Sequence, residues 1–395
     1  MTGWITSAPL LFAAFAAFAC AAAAQEKPLA VGAVISETGS HAAAAADYRK
    51  GLVLWAEQAN AGGGLLGRQI DLQLRDDGSE AAKAGTAYAQ LIAGGAQVLI
   101  GPYGSAATLT GSAEAERSRR VMLNAAGPSG QIHKRAPRYL FQTLPPYTAY
   151  ADGILAVARA ARAESVYIVA RDDAGSREMG EAALNLARKL GFQRADLDIY
   201  SGGTVDFLPQ LYKAMGLHAD AWIAFAEARD GGDMVKTLKR HGYEPRVVYV
   251  RASPDPRFIQ RIGQDAEFIL GSKEYDARFP TPGNESFVKA FNAKWSAAPG
   301  PLAAAAYAAG TVLAEGLRRA GTAESAKLRA VLATMEVDTV LGRYKVDPAT
   351  GAQIGMKPAV TQIVRGHAQA VWPVALAGDR KLAPFVSWAE REIIK

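Results

Sequence analysis

From Leu29 to Ile35 the run LAVGAVI is apolar at every position, the mark of a strand buried on both faces in a parallel sheet covered by helices. The period then changes. From Ala46 to Asn60 the residues Tyr48, Leu52, Trp55, Ala56 and Ala59 fall on one apolar stripe with the roughly 3.6-residue repeat of a helix. Ile70, Leu72 and Leu74 next alternate with Asp71, Gln73 and Arg75, which predicts a strand with one wetter face. The rhythm continues with a helix from Glu80 to Ala93, the strand QVLIG, a helix from Ser105 and the strand VMLN.

A second series follows YLFQT. Helices are predicted at 148–161, 177–190, 206–215, 231–241 and 255–262, alternating with the strands VYIVA, DLDIY, AWIAFA, RVVYV and FILG. DARFPTPGNES breaks the rhythm, followed by a helix from Phe287 to Trp295, SAAPGP, and helices at 302–320 and 324–335. GRYKVD, AVTQIVRG and HAQAVWPV close the chain as strands without intervening helices. Strands alternating with helices imply βαβ units, and this many strands exceed one comfortable sheet. The fold class is therefore α/β, with two Rossmann-like lobes built on parallel-rich sheets.

Composition narrows the function. With 395 residues, half of them hydrophobic, the chain can bury a large core. Its 44 basic and 38 acidic residues give a formal charge of +6, but they are interspersed, with no basic stripe, so no nucleic-acid partner is expected. The first 24 residues lack any charged side chain, and the apolar part from Leu10 to Ala24 is about 15 residues, short of the roughly 20 that span a bilayer. Residues 1–24 read as a secretion signal, with Ala22 and Ala24 as the small residues before a cleavage at Gln25. The single cysteine, Cys20, lies inside that segment; Ala17-Phe18-Ala19 before it is a poor lipidation context. The mature protein then has no disulfide and no thiolate site, and is expected to be soluble outside the inner membrane.

The hexamer GGGLLG at 62–67 fits G-x-G-x-x-G, the dinucleotide pattern, but in an inverted context. It follows a helix and precedes the strand IDLQL, which makes it a helix terminus and a turn. P-loop, H-E-x-x-H and G-x-S-x-G signatures are absent, and His41, His133, His218, His241 and His367 are scattered in polar contexts, so no metal, cofactor or catalytic site is expected. DDGSE at 76–80 reads as a turn with Ser79 as helix cap. One loop carries a positive signal. GPYGSAAT at 101–108 leaves a buried strand and opens a helix at Ser105, where free amides and the helix dipole favour an anion at the strand ends of an open α/β sheet. LNAAGPSGQ at 123–131 bends at the same edge.

These segments in order, from ISETGS through NAGGGLLGR, RDDGS and IGPYGSAAT to ADAWIAFAEARDGGDMVKTLKRHGY and GPLAAAAYAAGTVLAEGLRRAG, resemble the leucine/isoleucine/valine-binding family of type I periplasmic solute-binding proteins of ABC transporters. The resemblance runs from Leu29 to Pro373. It implies two lobes joined by crossover hinge strands, 25–145 with 276–350 and 146–275 with 351–395, closing on a ligand without catalysis. It also implies a carboxylate seat at Ser105, a wall at Tyr103, and ligand contacts from Ala126 and Ser129, where Pro128 replaces the usual Thr. Arg251-Ala252 stands where the family places a Glu against the ligand ammonium, with Glu227 as the substitute acid. Ser176 and Ala44 replace cleft aromatics, and Tyr147 and Tyr150 are placed to refill the space. The implied partners are a small carboxylate or amino-acid ligand and an ABC permease in the inner membrane. An aromatic or other non-amino carboxylate, or a sensor role toward a signalling partner, stands as the alternative.

Overall fold

The computed structural model describes residues 1–3, 27–384 and 386–391. The expected signal segment and Cys20 lie outside the described residues apart from Met1 to Gly3. The strands are β1 (Leu29–Ile35), β2 (Ile70–Asp76), β3 (Val98–Ile100), β4 (Met122–Asn124), β5 (Leu140–Gln142), β6 (Ser165–Arg171), β7 (Arg194–Tyr200), β8 (Ala221–Phe225), β9 (Val247–Val250), β10 (Leu270–Lys273), β11 (Val337–Thr339), β12 (Gly342–Tyr344), β13 (Ala359–Val364) and β14 (His367–Trp372).

They form a parallel sheet in the order β2-β1-β3-β4-β5 and a second sheet in the order β14-β13-β10-β9-β8-β6-β7. In the second sheet β13 runs antiparallel to β10 and β14 antiparallel to β13, while the remainder is parallel. The β11–β12 pair is a separate hairpin. β11 has no counterpart in the hydrophobic pattern, because Val337-Asp338-Thr339 is too short to show a period.

The first sheet packs under helices Ala42–Ala61 and Pro301–Ala320, and the helix Asn284–Trp295 joins the same core. The chain therefore returns to the first lobe after building most of the second. The first helix begins at Ala42, four residues before its apolar stripe, since a run of alanines has no period yet has the highest helix propensity. Close approach of the two long helices needs small residues at the crossing: a methyl group on Gly51 would fall 2.1 Å from the Ala303 carbonyl oxygen.

The helix ends at Ala61, and the Gly62 and Gly64 amides donate to the carbonyls of Gln58 and Ala59. Gly64 has φ +83 and no room for a side chain beside the Arg68 carbonyl, so GGGLLG is a chain reversal into β2.

Two local expectations are corrected. Ser79 does not cap the following helix; Glu80 holds the cap position. The Ser79 φ of +64 turns the Ser79 hydroxyl instead onto the Thr38 carbonyl at 2.6 Å, where it also accepts the His41 N–H at 3.0 Å, pinning the loop after β1 to the loop after β2. His133 is not in a polar surface context but is 3% exposed, between Asn124 and the Thr350 carbonyl.

Candidate functional site

The C-terminal ends of the parallel strands carry the candidate residues of both lobes. After β3, Gly104 takes φ +91 and the helix Ser105–Arg117 begins. The Gly104 N–H donates to the Ala126 carbonyl at 3.0 Å, and the Ser129 N–H donates to the Ser105 hydroxyl at 3.2 Å. These bonds tie the loops 101–105 and 125–130 into one edge. Asn124 braces that edge from below, its side chain accepting from the Gly127 N–H at 2.9 Å and donating to the Gly127 carbonyl at 2.8 Å. Tyr103 packs edge-on against His41 with ring centroids 5.3 Å apart.

Lobe 1 meets lobe 2 through a carboxylate. Glu178, on the helix Ala174–Lys189 that follows β6, accepts the Ser129 hydroxyl and the Gly130 N–H, each at 2.7 Å. Ser176 lies two residues earlier on that helix and is 3% exposed. Its amide and hydroxyl both donate to Asp173 at 2.9 Å, so its side chain secures the helix start.

Tyr150, Glu227 and Arg251 line a cavity of about 700 Å³ together with Ser272, Glu274, Tyr275, Pro299 and Pro301. Tyr275 belongs to the first core, and Pro301 opens the helix that packs on the first lobe, so the cavity lies between lobes. Arg251 follows β9 directly, and its guanidinium donates to Glu227 at 2.7 Å. Its Nε is buried and has no acceptor among the described residues. Burial works against its charge, but Glu227, Tyr150, Tyr249 and Glu274 together hold its pKa above the ordinary arginine value. The Tyr150 hydroxyl donates to Glu274 in a short hydrogen bond. Burial pushes the Glu274 carboxyl up, opposed by that bond and by Arg251. Tyr147, also beside this group, is pushed up to about 12, first by burial and then by Glu274.

The candidate residues thus fall into two groups. Tyr103, Ser105, Ala126 and Ser129 form the lobe 1 edge, which Glu178 joins to the helix carrying Ser176. Tyr150, Glu227 and Arg251 form the lobe 2 cluster. Glu274 was missed by sequence reasoning. The pattern placed the strand at FILG, whereas β10 runs Leu270–Lys273 and ends immediately before Glu274. The strand-end rule that picked out Ser105 finds Glu274 once that register is corrected.

Among the described residues no group of acidic, His and Cys side chains could hold a metal ion, and no helix is long and apolar enough to cross a membrane.

The chain is 23% identical over 303 residues to a leucine-, isoleucine-, valine-, threonine- and alanine-binding protein of Pseudomonas aeruginosa, covering 76% of this chain and 80% of that one. Among solved structures it is similar to LivJ, a branched-chain amino acid transporter substrate-binding protein from Streptococcus pneumoniae crystallised with isoleucine, at TM-score 0.67 and 20% identity over 87% of this chain and 98% of the other. A solute-binding protein of an ABC transporter from R. palustris, crystallised with benzoate, superposes at TM-score 0.66 and 20% identity over 91% and 98% of the two chains. These structures share the two-lobed α/β fold. The match to the periplasmic binding protein family spans residues 28–368, and the chain belongs to that family.

Proposed function

We propose that this protein is the periplasmic receptor of an ABC importer, which captures a small carboxylate-bearing molecule in the interlobe cleft and hands it unchanged to a permease in the inner membrane. A branched-chain or related amino acid is the leading ligand class. The observation that supports this reading is an uncharged helix-start edge at Ser105 at the strand ends of one lobe and a charged cluster of Arg251, Glu227, Glu274 and Tyr150 lining the interlobe cavity at the strand ends of the other.

In this mechanism the ligand carboxylate meets the amides at the start of the helix Ser105–Arg117, where the dipole favours an anion. Closure brings the lobe 2 cluster onto the rest of the ligand. Binding then shifts the population of open and closed forms. Glu178 supports the same motion, because its bonds to Ser129 and Gly130 join the lobe 1 edge to the helix that follows β6.

A second reading, a non-amino or aromatic carboxylate, draws on Pro128 and Ala252 in place of the family's Thr and Glu, and on the benzoate-bound relative. Mass spectrometry of the ligand that co-purifies, followed by calorimetry with that compound, tests the proposal. A carboxylate recovered unchanged after long incubation is the expected result; its chemical conversion, or the absence of binding by any carboxylate, overturns it.

A further inference from the structure

The lining of the cleft contains three cations, Arg251, Arg257 and Lys273, and four acids, Glu227, Asp255, Glu274 and Asp276. Three pairs account for all but one of these charges. Arg251 binds Glu227 at 2.7 Å, Arg257 embraces Asp255, and Lys273 binds Asp276 at 2.7 Å. Asp276 also accepts from Arg278, which lies outside the lining. Among the described residues Glu274 is left without a cation in direct contact.

One oxygen of Glu274 accepts the Tyr150 hydroxyl. The other takes no donor from the described residues and is not sealed from the cavity. Tyr150 is itself 5% exposed and packed in the second lobe, so it fixes the carboxyl in place. Glu227, the acid expected to face the ligand, is engaged by Arg251, with about half of its side chain (48%) in solvent.

We propose that Glu274, with Tyr150 as its positioning residue, seats an ammonium group of the ligand, so that the cleft takes amino-bearing carboxylates in preference to their desamino counterparts. The inference rests on the carboxylate-receptor reading above and narrows it. A half-buried carboxylate without a cation is costly to keep ionised, and burial does push this carboxyl up. A ligand ammonium supplies the missing charge at the open oxygen, whereas a desamino acid brings only apolar surface and leaves the acid unpaired.

The test is calorimetry on the full secreted protein with two matched series. One is L-leucine, L-valine and L-phenylalanine; the other is 4-methylpentanoate, 3-methylbutanoate and 3-phenylpropanoate. The wild type is expected to prefer the best amino acid over its desamino partner by at least about 100-fold. Glu274→Gln is expected to weaken that amino acid by at least about tenfold and to leave the desamino acid unchanged or tighter, compressing the ratio. Tyr150→Phe gives a smaller loss in the same direction. Should Glu274→Gln fail to fold, Glu274→Asp keeps the charge and is expected to retain the preference at lower affinity. Equal wild-type affinity for both members of a pair, or an equal loss of both on Glu274→Gln, overturns the inference and leaves the carboxylate receptor standing. If no compound of either series binds the wild type, the receptor reading fails and the inference falls with it.

Discussion

The strand ends of the two lobes use different chemistry. The lobe 1 edge, from Gly101 to Ser105 and from Ala125 to Gly130, contains no charged side chain and is held together by backbone amides, one serine hydroxyl and the Asn124 brace. The lobe 2 wall is a set of ion pairs with one acid left over. Backbone groups point where the fold points them and suit a feature common to many ligands, such as a carboxylate. Side-chain charges can be exchanged without disturbing a strand, so they suit the part of the ligand that distinguishes one receptor from another. The contrast predicts that substitutions on lobe 1 change affinity uniformly, while those on lobe 2 change selectivity.

Four substitutions probe that contrast. The largest effect is expected from Arg251→Met, which leaves Glu227 and Glu274 without their nearest cation. Ligand affinity should change by about 2 kcal/mol or more, and stability should fall by about 1–3 kcal/mol, read by calorimetry and denaturant unfolding. Unchanged affinity would show that the charged wall does not reach the ligand.

Ser105→Ala is expected to cost about 1 kcal/mol of binding, roughly fivefold, since it removes a hydroxyl and the acceptor of the Ser129 N–H. The loss should be equal for amino and desamino ligands; a selective loss would break the division of labour between walls. Glu178→Gln weakens the clasp to Ser129 and Gly130 by about 0.5–1.5 kcal/mol. Small-angle scattering of the ligand-free protein should then report a larger radius of gyration, and an unchanged radius would remove Glu178 from the closing motion.

The smallest effect concerns the support beneath the lobe 1 edge. His133 donates from Nδ1 to the Thr350 carbonyl at 2.9 Å, which leaves Nε2 as the acceptor facing the Asn124 side-chain amide. Burial first, opposed by the Thr350 bond, lowers its pKa below the usual histidine value, with Arg135 adding to the depression. The folded state therefore disfavours the proton. This contribution to stability is complete above the unfolded value of about 6.5 and is lost as pH falls through the lower folded value. Thermal melts between pH 7.5 and 5 should show a decline that His133→Asn reduces; parallel profiles would exclude His133 as its source.

Much of the fold was legible because buried parallel strands read as unbroken apolar runs and their covering helices as stripes. LAVGAVI is buried at all of its positions, and Tyr48, Leu52, Trp55 and Ala56 all face the core. Ser105 was legible for a related reason: a helix start after a buried strand needs only local sequence to be seen. Glu274 was not, because a two-residue error in one strand hides which side chain emerges at its end. Glu178 carries no local signal, since its partner Ser129 lies 49 residues away across the lobe boundary. His133 misled because polar neighbours in sequence do not predict burial in space.

The return of the chain to each lobe also governs how the molecule can be made. Tyr307 reaches back to Gln58, 249 residues earlier, and Gln362 to the Phe268 carbonyl, 94 residues earlier. Helix 301–320 completes the first core and β13 and β14 complete the second sheet, so neither half can finish before its distant segment arrives. Such non-local closure slows folding relative to a chain of local contacts. That delay leaves both halves open until the last hundred or so residues of the chain are available.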